Sequence, residues 1–272
     1  MIFWFPRSSE NRRRRVSRLS VKFFFERMAL MKNRVAWLAL FLLPLLSWSV
    51  ESPPPFSSLT PGQALPKEFR VVNLPGIGKN VFSLVADEGK TVLRVDSSSS
   101  AGSLDIPIVD PGATAGSAGA ERILEWRWKV NRLLEKADME DKSSDDHPAR
   151  VFVFFDVPIE SLSFIERNKI RIARAITGLD VPTAALCYVW DNKHRVGYKA
   201  WSPYTHRERK IVLQSGPQSV GQWVAEARDV AADFREAFGF EAPAVSSIAV
   251  GNDSDNTHDR VTSWFGDVGF RR

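Results

Sequence analysis

The sequence predicts a mainly β protein, an antiparallel β-sandwich into which two α-helices are inserted. Three observations support this fold class. Short runs of β-branched and aromatic residues alternate with turn residues, only two segments change to helical periodicity, and strands and helices do not alternate as in parallel βαβ sheets. The runs expected to form strands are 69–74, 81–86, 91–95, 104–109, 123–130, 150–156, 184–190, 245–250 and 264–270.

Two segments carry apolar residues at spacings of three and four, which predicts helices. The first begins with Ser163 and Glu166, whose spacing matches a capping box, and Gly178 is placed to end it after about four turns. The second ends before Gly239, a residue that commonly terminates helices. The apolar residues of the first stripe are Leu162, Ile165, Ile172, Ala173 and Ile176, and those of the second are Trp223, Ala227, Val230, Ala231, Phe234 and Phe238.

Residues 1–49 are expected to be a leader with a cleavable signal peptide. A short cationic stretch at 31–34 precedes an apolar run of about a dozen residues at 35–46, which is short for a membrane span. Small residues at Ser47 and Ser49 then offer a cleavage site. The predicted location is therefore periplasmic or secreted, with no stable membrane span after cleavage. An uncleaved anchor or a true long leader is the alternative.

The rest of the chain divides into a linker and one domain. Either Met28 or Met31 begins an ordinary signal peptide, so 1–30 is interpreted as translated upstream sequence. Residues 50–66 are rich in Pro and Ser and predict a poorly ordered linker. Residues 67–272 are then expected to form a single β-sandwich domain.

The net charge of +5 belongs to the leader. Residues 1–49 hold ten of the 37 Lys and Arg residues but only two of the 32 Asp and Glu residues. The remaining chain therefore carries 27 basic and 30 acidic residues, a small negative excess. Because phosphate neutralisation needs a basic patch, we expect no nucleic-acid partner.

The sequence contains no G-x-S-x-G elbow, P-loop, zinc-spaced Cys/His set or H-E-x-x-H helix. Two acidic clusters instead attract attention, one just before the strand at 150–156 and one in the turn 251–257. If loops bring Asp146 and Asp255 together, they would form a general acid and base pair. The alternative is solvated loop charge.

The same turn is a candidate calcium site. Asp253 and Asp255 resemble the start of a calcium loop, but position 264 is Trp264 and not the bidentate Glu of an EF-hand. A site assembled from separated loops stays open as an expectation. The alternative is a turn in which Asp and Asn side chains cap backbone N–H groups.

Aromatic residues at strand ends suggest ligand binding instead. Trp126 and Trp128 share one face of their strand and are expected in the core. At strand ends, exposed rings would stack on the apolar face of a sugar, and neighbouring polar groups would bind its hydroxyls. The candidate ligand-binding residues are Trp190, Asp191, Asn192, Trp201, Tyr204, Arg127 and Arg228.

Six stretches give the sequence a resemblance to a bacterial family of exported proteins known as domain of unknown function 3047. Together they cover nearly the whole chain after the leader, so the resemblance is specific, but it implies no activity. The stretches are E-W-R-W-K-V at 125–130, D-D-H-P-A-R-V-F-V-F-F-D at 145–156, Y-V-W-D-N at 188–192, V-L-Q-S-G at 212–216, R-D-V-A-A-D-F-R-E-A-F-G at 228–239 and I-A-V-G-N-D-S-D-N-T at 248–257.

The end of the chain has a looser resemblance to jelly-roll carbohydrate-binding modules. A strand, a D-S-D-N-T turn and F-G-D-V-G-F at 265–270 follow one another as in the last strands of those modules. The resemblance implies a galactose-binding-like jelly-roll, with Asp267 as a further calcium or structural partner.

Three functions follow as hypotheses. The first is noncatalytic binding of a glycan or another cell-envelope ligand, so that the protein is not an enzyme. The second is a hydrolase of an envelope or polysaccharide substrate that uses an Asp/Asp pair. The third is a structural or assembly protein of the envelope, which would show an apolar surface patch and no pocket.

Overall fold

The computed structural model describes residues 53–108, 122–177 and 182–271, and the predicted leader lies outside them. Within these ranges the chain forms thirteen strands, two α-helices and two short 3₁₀ turns. The strands are β1 (Arg70–Asn73), β2 (Val81–Asp87), β3 (Lys90–Ser98), β4 (Ala101–Pro107), β5 (Ile123–Val130), β6 (Ala149–Phe155), β7 (Ala184–Asp191), β8 (Lys199–Ser202), β9 (Thr205–Ser215), β10 (Val224–Asp229), β11 (Val245–Asp253), β12 (Arg260–Phe265) and β13 (Gly269–Phe270). The helices are α1 (Phe164–Thr177) and α2 (Val230–Phe238).

The strands form the two sheets of a sandwich. One sheet has seven strands in the order β1-β4-β11-β6-β7-β9-β8. The other has the order β10-β5-β12-β3-β2, and β13 pairs with β5. The predicted mainly β, antiparallel sandwich with two helices is confirmed, with one departure. β9 lies between β7 and β8. It runs parallel to β7 and pairs antiparallel with β8.

The core between the sheets is built from alternate residues of facing strands. The prediction that Trp126 and Trp128 of β5 are core residues is confirmed. Their rings meet those of Tyr188 and Trp190 of β7, with centroids 5.3 Å apart for the Trp126–Tyr188 pair and 5.8 Å for the Trp128–Trp190 pair. Such aromatic contacts add about 0.5–1.5 kcal/mol each beyond the area they bury.

The far side of β7 is also buried. Cys187 and Val189 point away from the sandwich core and pack against Met139 and Val212. Met139 belongs to the long connection between β5 and β6, residues 131–148, which we call the covering loop. The covering loop therefore shields one part of the outer face of the seven-stranded sheet.

The first predicted helix forms with its capping box. The Ser163 N–H donates to Glu166 Oε2 at 3.2 Å, and the Glu166 N–H donates to Ser163 Oγ at 3.3 Å. The predicted apolar stripe is wrong in part. Ile165 and Ile172 are exposed, whereas Ile170 supplies the buried contact of the helix.

The second predicted helix begins later than expected. Trp223 and Ala227 precede it, and Ala227 lies in β10 opposite Glu125 of β5. Residues four apart share a face in a strand as well as in a helix, so this spacing did not distinguish the two. The helix begins at Asp229, whose side chain accepts the N–H groups of Ala231 and Ala232. It ends at Gly239, which has a left-handed φ of 78°.

The segment expected to be a linker packs onto the sandwich over its described part, 53–66. Phe56 is buried and its ring stacks on Phe69 at 5.4 Å. The Thr91 hydroxyl donates to the Leu59 carbonyl at 2.6 Å. The linker prediction is therefore wrong for these residues. Their composition is rich in Pro and Ser, but the buried Phe56 anchors them to the sandwich.

No helix in the described ranges is long and apolar enough to cross a bilayer.

Replacing Phe56 tests whether this segment belongs to the folded domain. The side chain is 2% exposed, so Phe56→Ala should lower the free energy of unfolding by about 3–5 kcal/mol. Urea unfolding followed by tryptophan fluorescence measures this. Phe164→Ala is the control, because Phe164 is 71% exposed and its loss should cost less than about 0.5 kcal/mol. Equal midpoints for the two variants would restore the linker interpretation.

Candidate functional site

A groove crosses the outer face of the seven-stranded sheet, on the side away from the sandwich core. It consists of a cavity of about 550 Å³ and a neighbouring cavity of about 830 Å³. Val72, Phe154 and Pro182 line both cavities, so the two are continuous. Residues from all seven strands line the groove. At about 4.8 Å per strand, six spacings give a length near 29 Å. We call this feature the outer-face groove.

Strand alternation places charged and aromatic side chains on the groove floor. In β6, Val151 and Val153 enter the sandwich core, whereas Arg150, Phe152 and Phe154 line the groove. In β9, Ile211 and Leu213 are core residues. The opposite face of β9 includes Glu208, which lines the groove, and Lys210, which lies beneath the covering loop.

One buried charged network joins the covering loop to β9. Lys210 is 2% exposed, and its ammonium group contacts Asp145 and donates to the Met139 carbonyl at 3.3 Å. His147 Nε2 lies 3.2 Å from the same Asp145 carboxylate. Burial alone would raise the pKa of Asp145, but the hydrogen bond with His147 and the charge of Lys210 hold it below its ordinary value. Burial lowers the pKa of His147, so its ring is neutral at neutral pH.

A second buried network holds Asp253 at the end of β11. Arg150 Nη1 lies 2.5 Å from Asp253 Oδ2, and the His147 N–H donates to Oδ1 at 2.7 Å. Burial raises the pKa of Asp253 to about 7, aided by the nearby carboxylates of Asp146 and Asp145 and opposed by Arg150. Both networks consist of buried charged groups with specific partners. This arrangement is typical of functional sites.

Asp146, one of the two predicted catalytic residues, is a turn-holding residue in the structure. It is buried and accepts the N–H groups of Asn256 and Thr257, at 3.2 Å and 2.7 Å, as well as the Thr257 hydroxyl. Its partner Asp255 is only half-buried and lines the groove. Burial and the neighbouring Asp146 raise the pKa of Asp255.

The predicted calcium ligands do not come together as a set. Asp253 and Asp255 do lie close, but Asp146 and not Asp267 completes their group, with oxygens within 4.8 Å of one another. Asp267 instead accepts the N–H and hydroxyl of Ser57 in the N-terminal segment. The oxygens of Asp146 and Asp253 already face N–H and guanidinium donors.

Glu208 is the groove residue that sequence analysis missed. It is half-buried, and burial raises its pKa, which the nearby charges of Lys210 and Arg150 offset only in part. The local sequence contains no clear signal, because Glu208 stands in the charged run Arg207-Glu208-Arg209-Lys210. Only the structure shows that Arg150 of β6 and Asp145 of the covering loop lie near it.

The aromatic predictions need correction at two positions. Trp190 is fully buried in the sandwich core, because its strand is covered on both sides, so its ring offers no surface to a ligand. Trp201 is half-buried and its ring lies against Phe238, with the Arg209 guanidinium 4.9 Å from its centroid. Tyr204 alone of the three is exposed, at 59%, and it lines the groove.

The polar ligand candidates lie elsewhere and have structural partners. Asp191 is buried and accepts the Lys193 and His194 N–H groups, while Asn192 donates to the Leu134 carbonyl at 2.7 Å. Arg127 and Arg228 do not line the groove. The guanidinium of Arg127 lies 4.3 Å from the Trp223 ring centroid, and that of Arg228 binds Asp233.

A family model described as "Protein of unknown function (DUF3047)" matches residues 67–269, as the sequence motifs predicted. No curated protein matches the sequence.

Comparison with solved structures gives matches over about three quarters of this chain. One is the xyloglucanase domain of NopAA, a type three effector from Sinorhizobium fredii in complex with cellobiose, with TM-score 0.41 and 10% identity over 78% of this chain and 97% of that one. Another is Trichoderma harzianum endoglucanase 3 from family GH12, with TM-score 0.39 and 9% identity over 76% and 99%. A third is the cellulose induced protein Cip1, with TM-score 0.32 and 13% identity over 75% and 91%.

The raised pKa of Asp253 predicts a pH dependence of stability. Its folded-state pKa of about 7 lies above the unfolded value of about 3.9, so the folded protein holds an extra proton between these values. The resulting stabilisation is complete below about pH 4 and is lost as the pH rises towards 7. The free energy of unfolding should therefore fall between pH 5 and pH 8.

Denaturant unfolding of the wild type and of Asp253→Asn at several pH values measures this effect. The amide keeps the acceptor for the His147 N–H but cannot titrate, so the variant should lose less stability over the range. Asp96→Asn, on the other sheet, is the control and should follow the wild type. If the free energy of unfolding of Asp253→Asn fell with pH as steeply as that of the wild type, the raised pKa of Asp253 would be contradicted.

Proposed function

We propose that this chain, which belongs to the family described as "Protein of unknown function (DUF3047)", binds a glycan in the outer-face groove and hydrolyses it. One observation carries the proposal. Two partly exposed carboxyl groups with raised pKa values, Glu208 and Asp255, line a long groove whose floor is partly aromatic. The predicted leader at 1–49 supports action outside the cytoplasm, on an envelope or environmental polysaccharide.

The groove floor has the chemistry that sugars require. The Phe152 and Phe154 rings are stacked, with centroids 5.5 Å apart and planes 13° from parallel. Such rings, with the exposed Tyr204, suit the C–H faces of sugar rings, and Arg150 and the carboxyl groups suit the hydroxyls. The length of the groove favours a chain of several sugar units over a single one.

Glu208 and Asp255 are the two carboxyl groups of the proposed reaction, and their raised pKa values favour the acid role. Asp145, Asp146 and Asp253 are buried and their carboxylates already accept internal donors. A general acid must keep its proton near the working pH, and a raised pKa achieves this. Glycoside hydrolysis uses two carboxyl groups flanking the scissile bond. The proposed pair thus keeps Asp255 from the predicted pair and replaces Asp146 with Glu208.

Binding without cleavage is the second candidate function. It is favoured by the internal pairing of the buried carboxylates, which shows that much of the charge in the groove stabilises loops. An envelope assembly role is not proposed, because that hypothesis expected an apolar patch without a pocket and the outer face carries a groove.

Removing one ring from the floor tests the binding part. Phe154→Ala should weaken binding of the recognised polysaccharide by about fivefold to tenfold, because a ring stacked on a sugar contributes about 1 kcal/mol or more. Affinity electrophoresis over a panel of soluble polysaccharides finds the ligand, and calorimetry then gives the affinity. Trp264→Ala, on the outer face of the other sheet, is the control. Equal weakening by both variants would place the ligand outside the groove.

Replacing the carboxyl groups tests the catalytic part. Glu208→Gln and Asp255→Asn should each lower the release of reducing ends at least about 100-fold, while the dissociation constant changes less than about twofold. Glu125→Gln, a partly exposed carboxyl of the other sheet paired with Arg271, should leave both unchanged. A wild-type protein that binds a polysaccharide but releases no reducing ends would contradict hydrolysis and support the second candidate function.

A further inference from the structure

We infer that a divalent transition-metal ion of the zinc class binds between Asp138, Glu140 and His194, a cluster outside the outer-face groove. Each residue offers one ligand atom, and the three atoms lie within 4.8 Å of one another. One imidazole and two carboxylates form a donor set typical of zinc. Asp138 and Glu140 belong to the covering loop, and His194 follows β7.

The central distance fits a tetrahedral ion. His194 Nε2 lies 3.3 Å from Glu140 Oε2. Two ligand atoms on a tetrahedral zinc with bonds of about 2.0–2.1 Å are about 3.3 Å apart. The pair is therefore already at ligand spacing, and Asp138 has to approach by no more than about 1.5 Å on this geometry.

A buried residue outside the cluster orients the imidazole. His194 Nδ1 lies 2.9 Å from Oδ2 of Asp191, which is 1% exposed. A carboxylate accepts but cannot donate, so Nδ1 donates to Asp191 and Nε2 is the ring atom directed at Glu140. A metal ion bound by Nε2 would take the place of the proton that Nε2 otherwise carries towards Glu140. A carboxylate behind a metal-binding histidine is the usual outer partner at zinc sites.

Tyr198 and Lys193 flank the cluster. The ring of His194 is fixed by stacking on Tyr198, with centroids 4.4 Å apart. The counter-charge now beside Asp138 is the ammonium group of Lys193, which is 58% exposed and can swing into solvent. A divalent ion in its place would balance both carboxylates.

The ion would tie the covering loop to the end of β7. The covering loop also carries Asp145 and Asp146, which hold Lys210 and the turn at 253–257. Metal binding would therefore stabilise one wall of the outer-face groove without touching a ligand there. This inference does not depend on glycan binding.

Zinc chloride added to the metal-free full-length protein tests the inference. At a concentration about 100 times the dissociation constant, the melting temperature should rise by about 5 °C or more. Co²⁺ should bind in its place and give the intense visible absorption of a tetrahedral complex. Glu140→Gln and His194→Ala should abolish both effects. Asp191→Asn should weaken zinc binding by about 10- to 100-fold.

Two controls distinguish this site from surface binding. His206→Ala removes another exposed imidazole, and Asp141→Asn removes an exposed carboxylate from the same loop; both variants should bind zinc as the wild type does. Glu140 is itself half exposed, with a side chain 51% accessible, so Glu140→Gln is expected to fold. Calorimetry showing no zinc binding, or binding that Glu140→Gln and His194→Ala leave unchanged, would overturn the inference.

Discussion

The pairing of buried charges on the outer face of the seven-stranded sheet is the constraint on which the rest of the site depends. Lys210 is 2% exposed and the Arg150 side chain is 16% exposed, and an unpaired charge so far from water would cost several kcal/mol. Each is matched by a carboxylate from another segment, Asp253 and Asp145 respectively. These pairs hold the covering loop and the turn after β11 against the sheet, and so they define the walls of the outer-face groove.

The fold was predictable from local patterns because the two faces of most strands differ. β5 shows this best, since its alternating tryptophans and charged residues coincide with the observed strand and its buried face. The capping box of α1 was also predictable from the local sequence. Its two residues, Ser163 and Glu166, form hydrogen bonds with each other within one turn. Prediction failed where a pattern suited both periods, as at Trp223 and Ala227, and where a single Phe56 anchored a Pro/Ser-rich segment.

The site was less predictable because it is assembled from segments far apart in the chain. The acidic positions Asp253 and Asp255 were identified, and the structure places them beside Asp146. Their roles could not be derived, since these depend on which carboxylates meet a backbone donor, as Asp146 does, and which face the groove, as Asp255 does. Glu208 was missed because its environment is created by neighbours from β6 and the covering loop, which only the strand order brings near.

The central claim is that a glycan lies in the outer-face groove. The most direct measurement is an NMR titration of the isotope-labelled protein with an oligosaccharide of the recognised polysaccharide. The account predicts that shifts concentrate on β6, on β9 and on the turn at 253–257, including the signals of Phe154, Tyr204 and Glu208. Shifts confined to the outer face of the other sheet, around Trp223 and Trp264, would contradict it.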